Sequence, residues 1–490
     1  RPRRFGKSMM LSTLEEYFKG NHELFRGLAA DQLEPPESEG GWKEHIVFHF
    51  DFASGVFQNN GINELHDNIN NTFSDVVRKH NLELPQIHSL TTKFQNLIDQ
   101  AAEKSGLPVV ILFDEYDQPL NQNLMDYDKL QPLRNEMRAF FSILKTASEN
   151  IRFAMLTGVT KFSGVTLFSG VNQLFDISMS QQYADICGIT QNELEVNFPQ
   201  ELSRLAKAQQ LSCTDTLEIV QKKYDGYDFA GGGTKVYNPF STIRVLAEKE
   251  FNNYWFSSGT PSFLIDLIQT KHFDIAPIFD NQISLSKNQL ENFATEKPSL
   301  IPLLYQTGYL TIKDFDEGEF DLGFPNQEVE YGFVNSLIER LTQSDTLVDS
   351  SFDALISNIR KGNINEFVQR LTAIFSKIPY DLDNKTEKHF QTLFWFLLDL
   401  IGMQIAVEVH SAYGSADAII STKKFTYIFE LKVKTEGQDG EKLAETALQQ
   451  IEDQGYAKPF KQNPDEKRKI IKVGLVFDSE TRTVSDYKIS

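Results

Sequence analysis

The sequence predicts an α/β protein with a parallel sheet near its N-terminus, a helical middle segment and a second α/β region at its C-terminus. Two continuous apolar runs, 108–113 and 151–156, are typical of buried parallel strands, and they alternate with helical patterns. The pattern from 238 to 346 is mainly helical, whereas 415–421 and 426–433 have strand patterns. A chain of 490 residues is too long for one hydrophobic core, so several domains are expected.

Composition and charge exclude some functional classes. The apolar share of 40% and the charged share of 24% are those of an ordinary globular protein. A net charge of -20 argues against a basic nucleic-acid footprint over the whole surface, although it leaves room for a local one. The two cysteines, Cys187 and Cys213, provide neither a disulfide framework nor a zinc site. Two isolated thiols fit a reducing cytosol, so we expect a cytoplasmic protein. Because no apolar run reaches the ~18–20 residues of a membrane span, we expect no membrane partner.

The first residues contain part of a phosphate-binding motif. Gly6, Lys7 and Ser8 precede a helical pattern at 9–18. They place backbone N–H groups, a lysine for the β- and γ-phosphates and a hydroxyl for Mg²⁺ at a helix N-terminus. The first glycine of the usual motif falls at Arg1, so the motif is incomplete. Because the chain begins inside this motif, we expect a further N-terminal segment in the natural protein.

An acidic strand end supplies the second half of a nucleotide site. The run 108–113 is followed by Asp114 and Glu115. From these positions one carboxylate orients the Mg²⁺ shell and the other polarises the attacking water. Thr157 follows the next apolar run, where it would sense the γ-phosphate; the alternatives are a solvated acidic turn and a strand-end threonine without function. With both motifs in order, the sequence predicts a P-loop NTPase sheet that binds and hydrolyses ATP with Mg²⁺.

Near the C-terminus, a predicted hairpin opposes two carboxylates. A turn at 423–424 makes one face apolar and places Asp417 opposite Glu430, with Lys432 on the same side. The apolar pairs in this register are Ala416 with Leu431, Ala418 with Phe429 and Ile420 with Tyr427. Facing carboxylates repel, whereas a divalent cation between them attracts both, and the lysine can polarise a water or a phosphate. The pattern predicts a metal-dependent phosphodiesterase; the alternative is a half-exposed strand with solvated charges.

Several segments together resemble a known bacterial family. They are Arg-Pro-Arg-Arg-Phe-Gly-Lys-Ser at 1–8, Phe-Asp-Glu-Tyr-Asp at 113–117, Leu-Thr-Gly-Val-Thr-Lys-Phe at 156–162, Leu-Phe-Ser-Gly-Val-Asn at 167–172, Tyr-Asp-Gly-Tyr at 224–227, Tyr-Asn-Pro-Phe-Ser at 237–241 and Gly-Phe-Pro-Asn-Gln-Glu-Val at 323–329. Over nearly its whole length the chain resembles the AAA-ATPase-like family, which carries a C-terminal PD-(D/E)XK nuclease domain. The loop of that family also lacks the usual first glycine, which agrees with Arg1.

The resemblance implies roles for particular residues. It includes Arg4 and Phe5 in the nucleotide-binding loop. In the nuclease fold that it implies, Asp417 and Glu430 are Mg²⁺ ligands on adjacent strands. Lys432 then assists the nucleophilic water or stabilises the negative charge on the phosphate.

The resemblance adds two helix residues to the nuclease site. Glu387, in the helix before the sheet, matches a glutamate in the first helix of the family's nuclease domain and would complete the metal shell. Gln450 matches a downstream motif and would contact the metal site or the phosphate backbone. For each of them the alternative is an ordinary solvated helix residue.

The interpretation divides the chain into a P-loop AAA-ATPase-like domain at 1–230, a helical, winged-helix-like connector at 231–345 and a restriction-endonuclease-like α/β domain at 346–490. It predicts an ATPase coupled to a Mg²⁺-dependent nuclease, with DNA preferred over RNA as the expected partner. Whether the protein forms a homo-oligomer is left open. Two other functions also stay open: an ATP-dependent switch whose nuclease-like domain binds nucleic acid without cutting it, and a non-enzymatic interaction scaffold.

Overall fold

The computed structural model divides the chain into two compact units. The structure describes residues 1–124, 126–161, 167–168, 171, 173–255, 278, 283–291, 300–342, 354–355, 357–375, 394, 417–422, 424–461, 468–481 and 483–490. The first unit comprises Arg1–Trp255 and Pro277–Asn326, and the second comprises Phe256–Ala276 and Gln327–Ser490. The division into three domains at 231 and 346 stays a prediction.

Helices and strands alternate along the first unit and along the second. The helices of the first unit are α1 (Lys7–Phe18), α2 (Ala29–Leu33), α3 (Phe57–His80), α4 (Leu90–Ser105), α5 (Gln118–Asn121), α6 (Tyr127–Phe141), α7 (Ile143–Thr146), α8 (Gln191–Asn197), α9 (Pro199–Gln209), α10 (Cys213–Tyr224), α11 (Pro239–Glu248), α12 (Lys287–Glu291) and α13 (Leu300–Thr307). Its strands are β1 (Val47–Asp51), β2 (Val109–Asp114), β3 (Ile151–Leu156), β4 (Ile283–Ser286), β5 (Thr311–Asp316) and β6 (Glu319–Gly323). The second unit contains α14 (Gln327–Thr342), α15 (Ile364–Phe375), α16 (Gly440–Asp453), α17 (Lys458–Lys461), β7 (Ala418–Ser421), β8 (Phe425–Lys434), β9 (Lys469–Asp478) and β10 (Val484–Ile489).

The N-terminal sheet is parallel, with the strand order β1-β2-β3. The central strand β2 is buried along its whole length, as its continuous apolar run predicts. Phe113 near the end of β2 lies opposite Leu156 at the end of β3, so the carboxyl ends of these strands are adjacent. The predicted parallel α/β sheet is therefore confirmed.

The two faces of this sheet pack against different helices. On one face, Leu11 of α1 packs with Val47, Val110 and Leu112. On the other face, aromatic side chains from the strands and from α3, α4 and α6 contact one another: Phe48, Phe50, Phe73, Phe94, Phe113 and Phe140. Each such pair adds about 0.5–1.5 kcal/mol beyond the burial of its area. The sheet is thus packed on both faces, and this packing fixes the positions of its strand ends.

The segment predicted to be mainly helical from 238 to 346 also contains an antiparallel sheet of order β4-β6-β5. β5 and β6 form a hairpin whose turn residues Glu317 and Gly318 have φ of 47° and 94°. Positive φ at both positions is the conformation of tight hairpin turns. Within this mainly helical pattern the sequence also predicts a passage from helix to strand at 303–310, and α13 followed by β5 has that order, whereas β4 and β6 were not predicted. The winged-helix assignment stays a prediction.

The glycine run 231–233 forms a turn inside the first unit. Tyr227 and Val236 pair as an antiparallel bridge on either side of it. The carboxylate of Asp228 accepts a hydrogen bond of 2.9 Å from the N–H of Gly231. Because Gly231 has a φ of 75°, the turn uses the left-handed conformation that glycine adopts without strain.

The C-terminal sheet has the strand order β10-β9-β8-β7, in which β8 and β9 are parallel and the other pairs are antiparallel. The β7–β8 pairs include Ala418 with Phe429 and Ile420 with Tyr427. The N–H of Thr422 donates a hydrogen bond of 2.7 Å to the carbonyl of Phe425 and closes the turn. The predicted hairpin register is therefore confirmed for these pairs, whereas Ala416 lies outside the described residues.

Helices cover both faces of the C-terminal sheet. On one face, Phe367 and Phe375 of α15 pack against Phe429 and Phe477. On the other face α16 packs through Ile451, which is fully buried. In the part of the chain that the structure describes, no helix has the length and apolar character needed to cross a membrane.

Gly474 on β9 allows α16 to lie close to the sheet. A Cβ atom at this position would be 2.5 Å from the carbonyl oxygen of Ala444 and 3.0 Å from the Cβ of Ala447. Gly474 is also the partner of Glu430 in the β8–β9 register. Side chains at paired positions point to the same face, so the close helix helps to bury Glu430, which is only 2% exposed.

We expect Gly474→Ala to lower the free energy of unfolding by about 1–3 kcal/mol, because the added methyl group overpacks the α16–β9 contact. Urea unfolding checks this. Gly233→Ala is the matched control, since its Cβ would approach Ala184 no closer than 3.3 Å and its φ is not in the left-handed region. Equal stability of the two variants would contradict the close-packing argument.

Candidate functional sites

The first candidate site lies at the start of α1. Gly6 is the residue before the helix and adopts a left-handed conformation with φ of 77°. Gly6 has no side chain with which to cap α1, which leaves the N-terminal N–H groups of the helix as donors for an anion. Lys7 is 6% exposed, and its Nζ donates a hydrogen bond of 3.1 Å to the carbonyl of Pro2. Ser8 follows on the exposed side of the first turn.

The ends of β2 and β3 bring the predicted acidic residues and threonine together. The Thr157 hydroxyl donates a hydrogen bond of 2.5 Å to Asp114 Oδ1. The N–H of Glu115 donates to the same oxygen at 3.0 Å. Glu115 has a φ of 49°, an uncommon conformation for a residue with a side chain and one that marks a sharp turn at the strand end. The three residues therefore form one cluster.

An ion pair connects the helix start to the strand end. Lys7 Nζ lies 3.2 Å from Glu115 Oε1, and the Glu115 side chain is 19% exposed. Burial raises the pKa of Glu115, and the neighbouring Lys7 opposes this shift. Because the pair is mostly removed from water, each partner compensates for the cost of burying the other.

Aromatic side chains anchor the loop before α1. Phe5 is 1% exposed, and its ring centre lies 4.8 Å from that of Tyr227 and 5.3 Å from that of Phe229, both edge-on. The guanidinium of Arg4 lies 4.1 Å from the ring centre of Phe240. The sequence predicted Arg4 and Phe5 as nucleotide-binding residues, and the structure places both side chains against aromatic rings. Sequence patterns gave no signal for this packing, because its partners lie more than two hundred positions away along the chain.

The second candidate site lies on β7 and β8. Asp417 directly precedes β7, and its Oδ2 accepts a hydrogen bond of 2.6 Å from the N–H of Leu431. Glu430 on β8 is almost fully buried, and Lys432 Nζ lies 3.2 Å from its Oε1. The structure thus brings the three predicted residues together, and Glu430 does not have the half-exposed environment that the alternative interpretation required.

The electrostatics of Glu430 favour a neutralising partner. Burial and, to a smaller extent, the charge of Asp417 raise its pKa to about 7, although the neighbouring Lys432 opposes this shift. Glu430 Oε2 is buried and has no hydrogen-bond partner among the described residues. A buried carboxylate oxygen without a donor, next to a second carboxylate, fits a hard divalent cation, which takes oxygen ligands.

Two helix residues, Glu387 and Gln450, were also predicted to belong to the second site. Glu387 lies outside the described residues. Gln450 lies on α16 and is half-buried. Within the described ranges, no group of three or more His, Cys, Asp or Glu side chains is arranged to hold a metal ion. The described part of the second site therefore offers two carboxylates, Asp417 and Glu430.

The chain resembles known families at both ends. Residues 1–168 match a family described as a predicted AAA-ATPase, and residues 385–487 match the PD-(D/E)XK nuclease superfamily. A curated relative from Azotobacter chroococcum mcd 1, called an uncharacterized protein in the vnfD 5′ region, is 31% identical over 503 residues. The similarity covers 100% of this chain and 91% of that relative. No solved structure matches.

These matches agree with the chemistry of the two sites. They define a protein with an ATPase-like region at its N-terminus and a nuclease-like domain at its C-terminus. The chain belongs to the AAA-ATPase-like family with a C-terminal PD-(D/E)XK nuclease domain, and the resemblance inferred from its motifs is confirmed.

We expect Lys7→Met to lower the free energy of unfolding by about 2 kcal/mol, because it leaves Glu115 buried without its cation. The double variant Lys7→Met/Glu115→Gln should regain part of this loss, since the amide carries no charge. Urea unfolding of both single variants and the double variant measures the coupling. Lys129→Met is the control, because Lys129 forms an exposed ion pair with Asp126 that contributes about 0–1 kcal/mol. Additive effects at Lys7 and Glu115 would contradict the ion pair.

We expect the stability of the protein to fall between about pH 4.5 and about pH 7 because of Glu430. In this window the folded protein keeps a proton that the unfolded chain releases, so the folded state loses stability as the pH rises. The pKa shift corresponds to about 3 kcal/mol, which Glu430→Gln should remove. Urea unfolding at several pH values, with the exposed Glu436→Gln as control, tests this. An unchanged pH dependence in Glu430→Gln would contradict it.

Proposed function

We propose that the protein binds and hydrolyses ATP in its N-terminal region and cuts nucleic acid with Mg²⁺ in its C-terminal domain. The observation that carries this proposal is the buried Glu430 carboxylate, with an unpartnered oxygen, next to Asp417 and Lys432. Such an arrangement is costly without a cation and is suited to phosphodiester hydrolysis with one. We expect DNA rather than RNA as the substrate, and a homo-oligomer is compatible with the proposal.

In the N-terminal site, Lys7 and the start of α1 would bind the phosphates of ATP. Ser8 and Asp114 would hold Mg²⁺, which supplies charge neutralisation at the β- and γ-phosphates when bound. Glu115 has the burial and the raised pKa of a group that accepts a proton from water. Thr157 fixes the orientation of Asp114 through their hydrogen bond. Arg4 and Phe5 would hold the loop that carries Gly6 and Lys7.

In the C-terminal site, Asp417 and Glu430 would hold Mg²⁺, with Glu387 as a third ligand. The ion supplies Lewis-acid polarisation of the phosphodiester when bound. Lys432 is placed to stabilise negative charge on the phosphate, since its ammonium lies beside the same carboxylate. Gln450 would contact the phosphate backbone from α16.

The test uses the purified full chain with Mg²⁺, labelled DNA and RNA, with and without ATP. We expect Lys7→Ala to abolish ATP turnover and Lys432→Ala to abolish cleavage, because each removes the cation that the phosphate chemistry needs. Lys442→Ala is the matched control, since the Lys442 side chain is 82% exposed. Both activities should be unchanged in this control.

The outcomes separate the proposed function from the two alternatives. Cleavage that persists in Lys432→Ala protein would contradict the nuclease site. Nucleic-acid binding without cleavage, in the presence of ATP turnover, would favour an ATP-dependent switch. A protein that neither binds ATP nor gains stability from divalent cations would instead be an interaction scaffold.

A further inference from the structure

A buried carboxylate that the proposed chemistry does not use lies two residues after Glu115. Asp117 has no exposed surface. Its Oδ2 accepts hydrogen bonds from the N–H groups of Val159 at 3.0 Å and Thr160 at 2.6 Å. The Thr160 hydroxyl lies 2.7 Å from the same oxygen, and Asn121 Nδ2 donates to it at 2.6 Å. One carboxylate oxygen thus binds the chain that leaves β3.

The chain after β3 lies directly on this carboxylate. A Cβ atom at Gly158 would be 2.2 Å from Asp117 Oδ1 and 3.0 Å from the Tyr116 ring. Any side chain at Gly158 would therefore displace the carboxylate or the segment 158–160. No salt bridge reaches Asp117 within the described residues, so the hydrogen-bond donors of this segment, together with Asn121, stabilise the buried charge.

Further hydrogen bonds connect the segment held by Asp117 to the residues of the first candidate site. The N–H of Thr157 donates to the carbonyl of Phe113 at 2.8 Å, and the N–H of Tyr116 donates to the carbonyl of Thr157 at 3.0 Å. The Thr157 hydroxyl bonds to Asp114. Asp117 accepts hydrogen bonds from Val159 and Thr160, which follow Thr157 closely in the chain. The position of Thr157 is therefore fixed both by its own hydrogen bonds and by those of the segment after it.

We propose that Asp117 is a positioning residue for ATP hydrolysis, which holds segment 158–160 so that Thr157 stays bonded to Asp114 at the end of β2. The inference rests on the ATPase activity proposed above. Asp117 touches neither phosphate nor metal in this role. It acts by restricting where the Asp114 carboxylate and the turn at Glu115 lie.

The variants remove this restraint in two independent ways. Thr160→Val removes the hydroxyl that contacts Asp117 and keeps the shape of the side chain, whereas Thr160→Ser keeps the hydroxyl. Gly158→Ala keeps every polar group and pushes a methyl group against the carboxylate. Asp128→Asn is the control, because Asp128 is an exposed acid on α6 whose change removes one charge without touching the segment.

ATP turnover in these variants should separate positioning from binding. We expect Thr160→Val and Gly158→Ala to lower kcat by about 10–100-fold, because small displacements of catalytic groups are costly. The KM for ATP should stay within roughly threefold, since Lys7 and the start of α1 are untouched. Thr160→Ser and Asp128→Asn should keep the wild-type kcat. A rise in KM with an unchanged kcat, or equal losses in Thr160→Val and Thr160→Ser, would overturn the proposal.

Hydrogen–deuterium exchange provides a measurement that does not depend on ATP turnover. The amides of Val159 and Thr160 should exchange about tenfold faster in Asp117→Leu and Gly158→Ala than in the wild type, because their acceptor is lost or displaced. Unchanged exchange in both variants would overturn the restraint itself. If exchange changes as expected but the wild-type protein does not hydrolyse ATP, the proposed ATPase function fails while the restraint by Asp117 stands.

Discussion

Buried carboxylates on or next to the strands of the two sheets are the constraint on which both sites depend. Removing a charged group from water costs several kcal/mol, so each buried carboxylate needs a compensating neighbour. Glu115 lies 3.2 Å from Lys7, and Glu430 lies 3.2 Å from Lys432. In both places the compensating group is the lysine that the proposed phosphate chemistry uses. The charge balance that stabilises each unit therefore also holds a cation where a phosphate would bind.

The topology explains why these groups meet. In the parallel sheet, the carboxyl ends of β2 and β3 lie at the same edge, which brings Thr157 to Asp114 although 43 positions separate them. In the C-terminal sheet, the β7–β8 pairing places Asp417 beside the β8 segment that carries Glu430, where Leu431 donates a hydrogen bond to it, and Gly474 allows α16 to approach the same strand. Local sequence places Asp114 and Thr157 at strand ends and Glu430 within β8, and the pairing of strands brings the residues of each site together.

Features that depend on local sequence could be predicted, whereas features that depend on distant strands lying side by side could not. The β7–β8 register could be predicted because a short turn and one apolar face leave a single pairing that buries the face. The β5–β6 pairing was missed because β5 buries only its first two residues and shows no period of two, although β6 alternates exposed acidic residues with buried apolar ones. The bonds between Asp117 and Thr160 could not be predicted, since they depend on two strand ends being adjacent in space. The roles of the predicted site residues stay predictions.

The anchoring of the loop before α1 constrains how ATP would act in the proposed ATPase. Phe5 is buried against two aromatic rings and Arg4 lies on a third, so the backbone that leads into Gly6 is fixed. ATP binding would then mainly move the Lys7 side chain. Its ammonium group would leave the ion pair with Glu115 and contact phosphate oxygens instead. Because Lys7 opposes the raised pKa of Glu115, its departure would raise that pKa further. Phosphate binding would thereby make Glu115 a stronger base, which couples occupancy of the site to its chemistry.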